Sequence, residues 1–343
     1  MKKKLFSITV LVITCLFTFL LGGCGNGDIK KSHEPVPASK AFKQSGLWLK
    51  SYSSSLMDKK DEVTEVLSFD GKGNVTIYQC KDESDTDQKA PTFADLNGLS
   101  DEDIIKLAKE KDKALFDTKR KKALDTTSQA INTLQSAYDK LKKEYNDRTY
   151  TSDTLHKTEE EEEPKPSGDP QMDAAVKGVR ELNKEFYEHM RKQREDMAKE
   201  NYEKAFADLE KHLNEAKKEQ EKTKTAEYKE PKAEPYKLHI TTDSSGNSTQ
   251  SEEFIKTIPH YSFYQASVDK DLSTEDIITA GVDGTFTPAE ENTKELDFEL
   301  LPMEHQKIYD TIFGGFSQLV TSVDVKQGGF ELDTPKTEGV EVD

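Results

Sequence analysis

Three short runs in which most residues are apolar, with many β-branched or aromatic side chains, follow residue 43. These runs are residues 47–52, 63–69 and 74–80, and the polar segment from Asp70 to Asn74 separates the last two. Such runs are typical of strands, and Gly and Asn tolerate the positive φ angles of a tight turn. The pattern therefore predicts an antiparallel hairpin preceded by one further strand.

The pattern then changes to the spacing of a long helix. Between Gly98 and Pro164 there is no Gly or Pro, and Ser100 precedes three acids that suit a helix start. From Leu124 onward the apolar residues are separated by seven, three, four, three and four positions: Leu124, Ile131, Leu134, Tyr138, Leu141 and Tyr145. Thr127 occupies the heptad position between the first two and is a weak point of the pattern. This heptad spacing predicts a helix that packs against another helix.

A second helical stretch lies between Gly178 and Pro231. Its apolar residues also recur at helical spacing: Val179, Leu182, Phe186, Met190, Met197, Tyr202, Phe206, Leu209, Leu213 and Ala216. Residues 147–171, between the two stretches, contain a run of glutamates and three prolines, and they are predicted to be a disordered acidic linker. Residues 111–230 are therefore predicted to form an antiparallel helical hairpin, with solvated single helices or disorder as the alternative.

Strand patterns return after the helices. The predicted strands are residues 236–242, 248–255, 259–268 and 294–301. Ser273 is a predicted start of a short helix. Residues 304–322 carry apolar residues at helical spacing, interrupted at Gly314 and Gly315, and are predicted to form another helix.

The two β-rich parts share short motifs at one fixed offset of 173 residues. Asp70 to Thr76 matches Asp243 to Thr249, and Leu99 to Ile105 matches Leu272 to Ile278. The shared spacing indicates a duplicated unit of hairpin and capped helix. Two arrangements remain open: two related modules at either end of the helices, or one antiparallel sheet that contains both halves.

The first residues of the chain have the pattern of an export signal. Lysines follow Met1, residues 5–21 carry no charge, and Leu21-Gly22-Gly23-Cys24 ends the segment. This ending resembles the lipobox of bacterial lipoproteins, and the chain resembles cell-surface lipoproteins of low-GC Gram-positive bacteria. The resemblance implies that Cys24 is the first mature residue, carries acyl chains such as palmitate, and anchors the protein at the outer face of the cell membrane. An uncleaved anchor and an unlipidated secretory signal are the alternatives.

These patterns predict an α+β fold in which antiparallel β-rich parts with short helices are interrupted by a long, coiled-coil-like helical hairpin. The predicted parts are a signal peptide (1–23), a flexible tether (24–43), a β-rich module (44–110), the helical arm (111–230), a second β-rich module that is a candidate repeat of the first (231–333) and a disordered tail (334–343).

Composition narrows the classes of partner. The chain is 33% hydrophobic and 34% charged, with a net charge of −17. An acidic chain gains nothing from phosphate backbones, so we expect no nucleic-acid partner. Cys15 leaves with the signal and Cys24 is the lipid site, so Cys80 remains alone and no internal disulfide is expected in the mature chain.

No motif in the sequence predicts catalysis. The seven histidines lack metal-ligand spacing, and the chain contains no nucleophile elbow, phosphate-binding loop or dinucleotide fingerprint. We therefore expect no catalytic residues, no metal and no cofactor, and we assign Trp48, the only tryptophan, to the core.

The leading hypothesis is a non-enzymatic, membrane-anchored extracellular protein whose helical arm binds a protein or cell-wall partner. One alternative is a lipocalin-like binder of a small ligand, because Phe69 to Tyr78 resembles the strand pairs of small lipocalin-like modules. A cell-wall-modifying enzyme is the least favoured alternative.

Overall fold

A computed structural model describes most of the chain beyond its first residues. The described ranges are residues 28–52, 57–82, 88–147, 168–269 and 273–343. The predicted signal peptide, Cys24 and most of the predicted acidic linker lie outside these ranges. Within them, no helix has both the length and the apolar character needed to span a bilayer.

Five α-helices form in the described residues, after a short 3-10 turn at Ile29–Lys31. They are α1 (Ala38–Phe42), α2 (Phe93–Leu96), α3 (Asp101–Asp147), α4 (Pro170–Thr225) and α5 (Thr274–Ala280). The strands are β1 (Val36–Pro37), β2 (Gly46–Ser51), β3 (Val63–Phe69), β4 (Asn74–Gln79), β5 (Glu234–Pro235), β6 (Lys237–Thr242), β7 (Thr249–Ser262), β8 (Gln265–Val268), β9 (Gly284–Thr287), β10 (Glu290–Glu299), β11 (Pro302–Ile308), β12 (Thr311–Phe316), β13 (Leu319–Val323), β14 (Phe330–Glu331) and β15 (Glu341–Val342).

The strands form two larger sheets. One has seven strands in the order β11-β12-β13-β2-β3-β4-β5, and all its neighbouring pairs are antiparallel. The other has the order β10-β7-β6-β15, in which only β15 runs parallel to its neighbour. The seven-stranded sheet takes strands from both sides of α3 and α4, as in the arrangement where one sheet contains both halves. The predicted α+β class, with antiparallel sheets and a long helical pair, is confirmed.

The main hydrophobic core joins the two sheets and is rich in aromatic rings. Trp48 is only 1% exposed, in agreement with its predicted place in the core. Its ring meets Phe42 edge-on at 4.9 Å and stacks on Phe316 at 6.1 Å. Phe254 of the four-stranded sheet packs against the same Phe42 ring at 5.6 Å. Such ring pairs stabilise the core beyond the area that they bury.

The opposite face of the seven-stranded sheet is covered by helices. Side chains alternate along a strand, so Leu47 and Leu49 point away from Trp48. They belong to a second buried cluster that includes Phe93 and Leu96 of α2. Strand β2 is therefore buried on both faces, which places it at the centre of the molecule.

Helices α3 and α4 form an antiparallel pair, as the heptad spacing predicts. Tyr145 near the end of α3 contacts Tyr202 at 5.6 Å between ring centroids. Nearer the other end of the pair, the Gln220 amide donates to the Ser128 hydroxyl at 2.9 Å. Leu134, Leu141, Leu209 and their neighbours are buried along this seam.

The helical pair is not a free arm along its whole length. Ile277 of α5 is buried in the α3–α4 cluster. The His212 ring stacks on Phe286 of β9 at 4.4 Å, and Asp208 accepts a hydrogen bond from the Val282 amide at 2.9 Å. The segment from β8 to β9 therefore covers one side of the seam.

The predicted flexible tether is wrong for residues 28–43, the part of it that is described. Ile29, Val36 and Phe42 are all less than 5% exposed, within the main core. The α1 residue Ser39 also donates through its amide and hydroxyl to Asp333, both at 2.6 Å. Few residues of this segment are apolar, but those few are large and they fill the space between the sheets.

The predicted helix at 304–322 is also wrong, since strands β11, β12 and β13 occupy the region. Gly315 has φ of +144°, and a Cβ there would lie 2.4 Å from the Leu319 carbonyl oxygen. A glycine with this φ fits the close pairing of β12 and β13 and not a helix. Short apolar runs fit both periods, and the glycine pair decides between them.

The predicted disordered tail differs from the structure as well. Glu341 and Val342 form β15 and pair with β6. The Lys237 ammonium lies 2.7 Å from the Glu341 carboxylate, and Val340 packs against the main core. A few contacts to an existing sheet edge suffice to order this polar segment.

The two matched motifs adopt the same local structures. The Asp70 carboxylate accepts from the Asn74 amide at 3.1 Å, and the Asp243 carboxylate accepts from the Asn247 amide at 3.3 Å. Both helix starts use a serine cap: the amides of Asp103 and Asp276 donate to Ser100 and Ser273 at 3.2 and 3.1 Å. After these caps the halves differ, because α3 has 47 residues and α5 has seven. Duplication of a larger unit stays a prediction.

Candidate interaction surface

Helix α4 extends well beyond the point where its pairing with α3 ends. Tyr202 pairs with Tyr145, two residues before α3 ends at Asp147. The preceding part of α4, residues 170–197, is called the overhang below. At 1.5 Å per residue it is about 42 Å long, and nearly all of its residues are exposed.

Local interactions explain why the overhang is helical. The Asp169 side chain caps the helix by accepting from the amides of Gln171 and Met172 at 2.9 and 3.3 Å, and Pro170 occupies the first turn. Arg191 and Glu195, four residues apart, form an ion pair of 3.9 Å along the surface. Such pairs each add a few tenths of a kcal/mol, about 0.2–0.5.

A row of large apolar side chains follows the overhang and remains in contact with water. Seven of them are between 39% and 67% exposed: Met172, Val176, Val179, Leu182, Phe186, Tyr187 and Met197. By contrast, Leu209 and Leu213 further along the same helix are 0% and 7% exposed. Contiguous exposed apolar surface of this kind marks an interaction site.

This apolar row is not a simple continuation of the face that contacts α3. At 100° per residue, the overhang row is centred about a third of a turn away from the row of Leu209, Leu213 and Ala216. A partner of the overhang can therefore approach from a direction that α3 does not occupy. The exposed apolar row of the overhang is called the α4 face below.

The helical spacing predicted one apolar row along the second helix of the hairpin, and only the last part of that row meets α3. Leu209 and Leu213 are buried in this contact, whereas Val179, Leu182 and Phe186 remain exposed. The sequence already indicates this, because the helical stretch before residue 147 has fewer apolar positions than the second stretch. The apolar residues of the second stretch therefore cannot all be buried against the first.

The overhang is electrically balanced within a strongly acidic chain. It contains equal numbers of basic and acidic residues: Lys177, Arg180, Lys184, Arg191, Lys192 and Arg194 against Asp173, Glu181, Glu185, Glu188, Glu195 and Asp196. The whole chain carries −17. The α4 face is thus a region where another acidic protein meets no net repulsion.

The β part contains a concave cleft. It has a volume of about 230 Å³ and lies between the seven-stranded sheet and α2, with Leu47, Leu49, Phe93 and Leu96 among its lining residues. Tyr309, at the turn between β11 and β12, also lines it with φ of +56°. Its volume is below the roughly 300–1,000 Å³ of typical small-ligand pockets.

Buried titratable groups in the β part serve as structural links. The Asp112 carboxylate of α3 accepts from the Tyr228 hydroxyl at 2.6 Å and from the Gln79 amide at 2.8 Å. Burial raises the pKa of Asp112, although both hydrogen bonds lower it. Burial likewise raises the pKa of the Cys80 thiol to about 12, so this thiol stays protonated and is a poor nucleophile.

The histidines take part in separate local contacts. His239 lies 2.9 Å from the Asp343 carboxylate, and His305 lies 2.7 Å from the Gln327 side-chain oxygen. Across the described ranges, no group of three or more His, Cys, Asp or Glu side chains is arranged to hold a metal ion. Cys24, the one site residue predicted from the sequence, lies outside those ranges.

No protein-family model, no curated protein and no solved structure matches this chain.

Proposed function

We propose that this protein is a membrane-anchored extracellular lipoprotein that acts as a non-enzymatic interaction protein. The lipobox-like sequence that ends at Cys24 supports the anchor. Acyl chains contribute about 0.8 kcal/mol per buried CH₂ group, so two or more chains give a stable attachment. The anchor places the protein at the outer face of the cell membrane.

The α4 face is the observation that carries the binding role. Fully burying one large apolar side chain contributes about 1.5–3 kcal/mol, and seven such side chains here are at least 39% exposed. A helix held rigidly by its pairing with α3 presents these side chains without a large ordering cost. A protein partner with a complementary apolar groove or helix fits this surface.

The proposal is tested by recovering partners from intact cells. Full-length protein is cross-linked in cells and purified, and its co-purifying proteins are compared with those of a Phe186→Gln variant. Glu185→Gln is the matched control, because Glu185 is also exposed and lies about 130° around the helix from the centre of the apolar row. We expect the Phe186 variant alone to lose a specific partner; equal recovery with all three proteins would contradict the proposal.

The apolar cleft beside Leu47 supports a second candidate, the binding of a small apolar ligand. An apolar fluorescent probe titrated against the protein tests this role. A Leu96→Trp variant that fills the cleft should lose saturable binding, with Leu182→Trp on the overhang as the control. Because the cleft is small, the α4 face is the better supported site.

A further inference from the structure

We infer that the α4 face binds a second copy of this chain, with the two overhangs side by side and antiparallel. The inference rests on the proposed function, because it names the partner of the same surface. Three features of the overhang support it: the spacing of its apolar residues, the charges on either side of them, and its net charge of zero.

Five residues of the α4 face, together with Met190, lie on a row with the alternating four-and-three spacing of a two-helix seam. The seam positions are 172, 176, 179, 183, 186, 190, 193 and 197, and six of these eight are apolar. Two antiparallel helices related by a two-fold axis can align these positions so that the numbers of facing residues always add to 369. The facing pairs are then Met172 with Met197, Val176 with Gln193, Val179 with Met190, and Asn183 with Phe186.

This register uses the entire overhang and stops just before the pairing of α4 with α3 begins. Its outermost pair joins Met172, in the first turn of α4, to Met197 of the second copy. Tyr202, which pairs with α3, follows five residues later. The two-fold seam therefore adds to the α3–α4 pair without competing for the same side chains.

The residues that flank the seam suit the same register. In an antiparallel two-fold pair, each flank faces the equivalent flank of the other helix. On one flank Asp173 faces Arg194 of the second copy, and Arg180 faces the ring of Tyr187 of the second copy. Opposite charges and a cation over an aromatic ring are both favourable. On the other flank Leu182, which is 67% exposed, extends the apolar surface.

The charge balance of the overhang permits a second copy of this acidic chain to approach. A basic partner would be drawn to the acidic remainder of the chain, and the balanced overhang offers it no net attraction. Two overhangs, each with equal numbers of both signs, approach without net repulsion. A polar residue within the seam, Asn183, is the kind of residue that fixes register and partner number.

The register is tested by thiol cross-linking of full-length protein in intact cells. Variants Val179→Cys and Met190→Cys are expressed separately and together with different tags, and treated with a short bifunctional thiol reagent. Wild type is the background control. In the proposed pair, position 179 of one copy faces position 190 of the other. Position 179 of one copy is then eleven residues, or about 16 Å along the helix axis, from position 179 of the other copy.

We expect a cross-linked dimer with both tags when the two variants are co-expressed, and at least about fivefold less dimer when either is expressed alone. Adding Phe186→Gln to both variants should reduce the mixed product about tenfold, because each dimer buries two of these rings. Glu185→Gln should leave it unchanged. A dimer formed equally by Val179→Cys alone would overturn the antiparallel register.

Absence of any cross-linked dimer above background would overturn the second copy as partner. The partner-recovery experiment separates this result from failure of the proposed function. If Phe186→Gln still loses a different protein there, the binding role stands and only the identity of the partner is wrong. If neither experiment responds to Phe186→Gln, both the inference and the proposed function fail.

Discussion

Glu252 is a buried acid that joins three distant parts of the chain. It lies in β7 at 0% exposure, and its carboxylate accepts from the Asp333 amide at 2.7 Å. Asp333 in turn accepts from the amide and hydroxyl of Ser39. Burial raises the pKa of Glu252 to about 8, with the charge of Asp333 acting in the same direction and the hydrogen bond from the Asp333 amide acting against it. Glu252 is therefore protonated in the folded protein at neutral pH.

This raised pKa predicts a pH-dependent stability. The unfolded chain releases the Glu252 proton near pH 4.5, whereas the folded protein keeps it until about pH 8. The contribution of this proton to the free energy of unfolding is therefore complete below pH 4.5 and is lost as the pH rises to about 8. Denaturant unfolding at pH 5.5 and 8.5 should show that Glu252→Gln gains about 3 kcal/mol relative to wild type over this interval. The exposed control Glu295→Gln should show no such gain. A constant difference between Glu252→Gln and wild type would refute the assignment.

Gly315 is a position where one methyl group should be costly. A Cβ there would lie 2.9 Å from the Trp48 ring and 2.4 Å from the Leu319 oxygen, and the φ of +144° is unfavourable for other residues. We expect Gly315→Ala to lower the free energy of unfolding by about 2 kcal/mol or more. Gly178→Ala, in the exposed overhang with no atom within 4 Å, should raise it by about 0.5–1 kcal/mol. Calorimetry that finds the same sign for both would contradict this account.

Helix α4 combines two environments in one continuous element. Leu209 is fully buried against α3, whereas Leu182 on the overhang is 67% exposed. Its local caps and ion pairs keep both parts helical, and packing fixes only the second part. The overhang is therefore available to a partner without any rearrangement of the fold.

This contrast gives a matched pair of substitutions. Leu209→Ala removes buried methyl groups and should cost about 2–5 kcal/mol in the free energy of unfolding. Leu182→Ala makes the same chemical change on exposed surface and should cost less than about 0.5 kcal/mol in the monomer. Urea unfolding at low protein concentration measures both. A loss above 2 kcal/mol for Leu182→Ala would show that the α4 face is packed within its own chain.

The sequence predicted the elements whose signals are strong and local. The hairpin at Asp70, the serine cap at Ser100 and the heptads of α3 each depend on neighbouring residues, and all three are present in the structure. Thr127, the weak heptad position, is still buried because its hydroxyl donates to the Ala123 carbonyl at 2.6 Å. A hydrogen bond that allows a polar side chain to be buried in this way cannot be predicted from the hydrophobic pattern.

What the sequence could not predict depends on distant contacts. Strands β11, β12 and β13 were assigned to a helix because their apolar residues fit both periods. The pairing of β13 with β2, which adds these strands to the sheet, joins residues far apart in the chain. Phe42 was assigned to a tether, because its five aromatic neighbours come from both sheets. The α4 face was missed for the same reason: burial depends on where α3 ends, and that is a property of two helices together.

The proposed anchor and the α4 face together describe a protein that is held at a membrane and presents a rigid helix to a partner. Replacing Cys24 by Ser removes the sulfur to which acyl chains attach. We expect that this variant no longer incorporates labelled palmitate and moves from the membrane fraction to the medium. Cys80→Ser is the control and should remain membrane-bound, since Cys80 is buried. Retention of Cys24→Ser at the membrane would contradict lipid anchoring.

Labelling of cysteines on the overhang in intact cells tests the account most directly. A membrane-impermeant maleimide is applied to cells that carry Leu182→Cys, on the α4 face, or Glu188→Cys, which is exposed on the side of the helix opposite to that face. We predict that position 188 is labelled rapidly and position 182 at least about tenfold more slowly, with equal rates once the cells are dissolved in denaturant. Equal rates in intact cells would show that nothing covers the α4 face, and no labelling of position 188 would show that the protein is not exposed on the cell exterior.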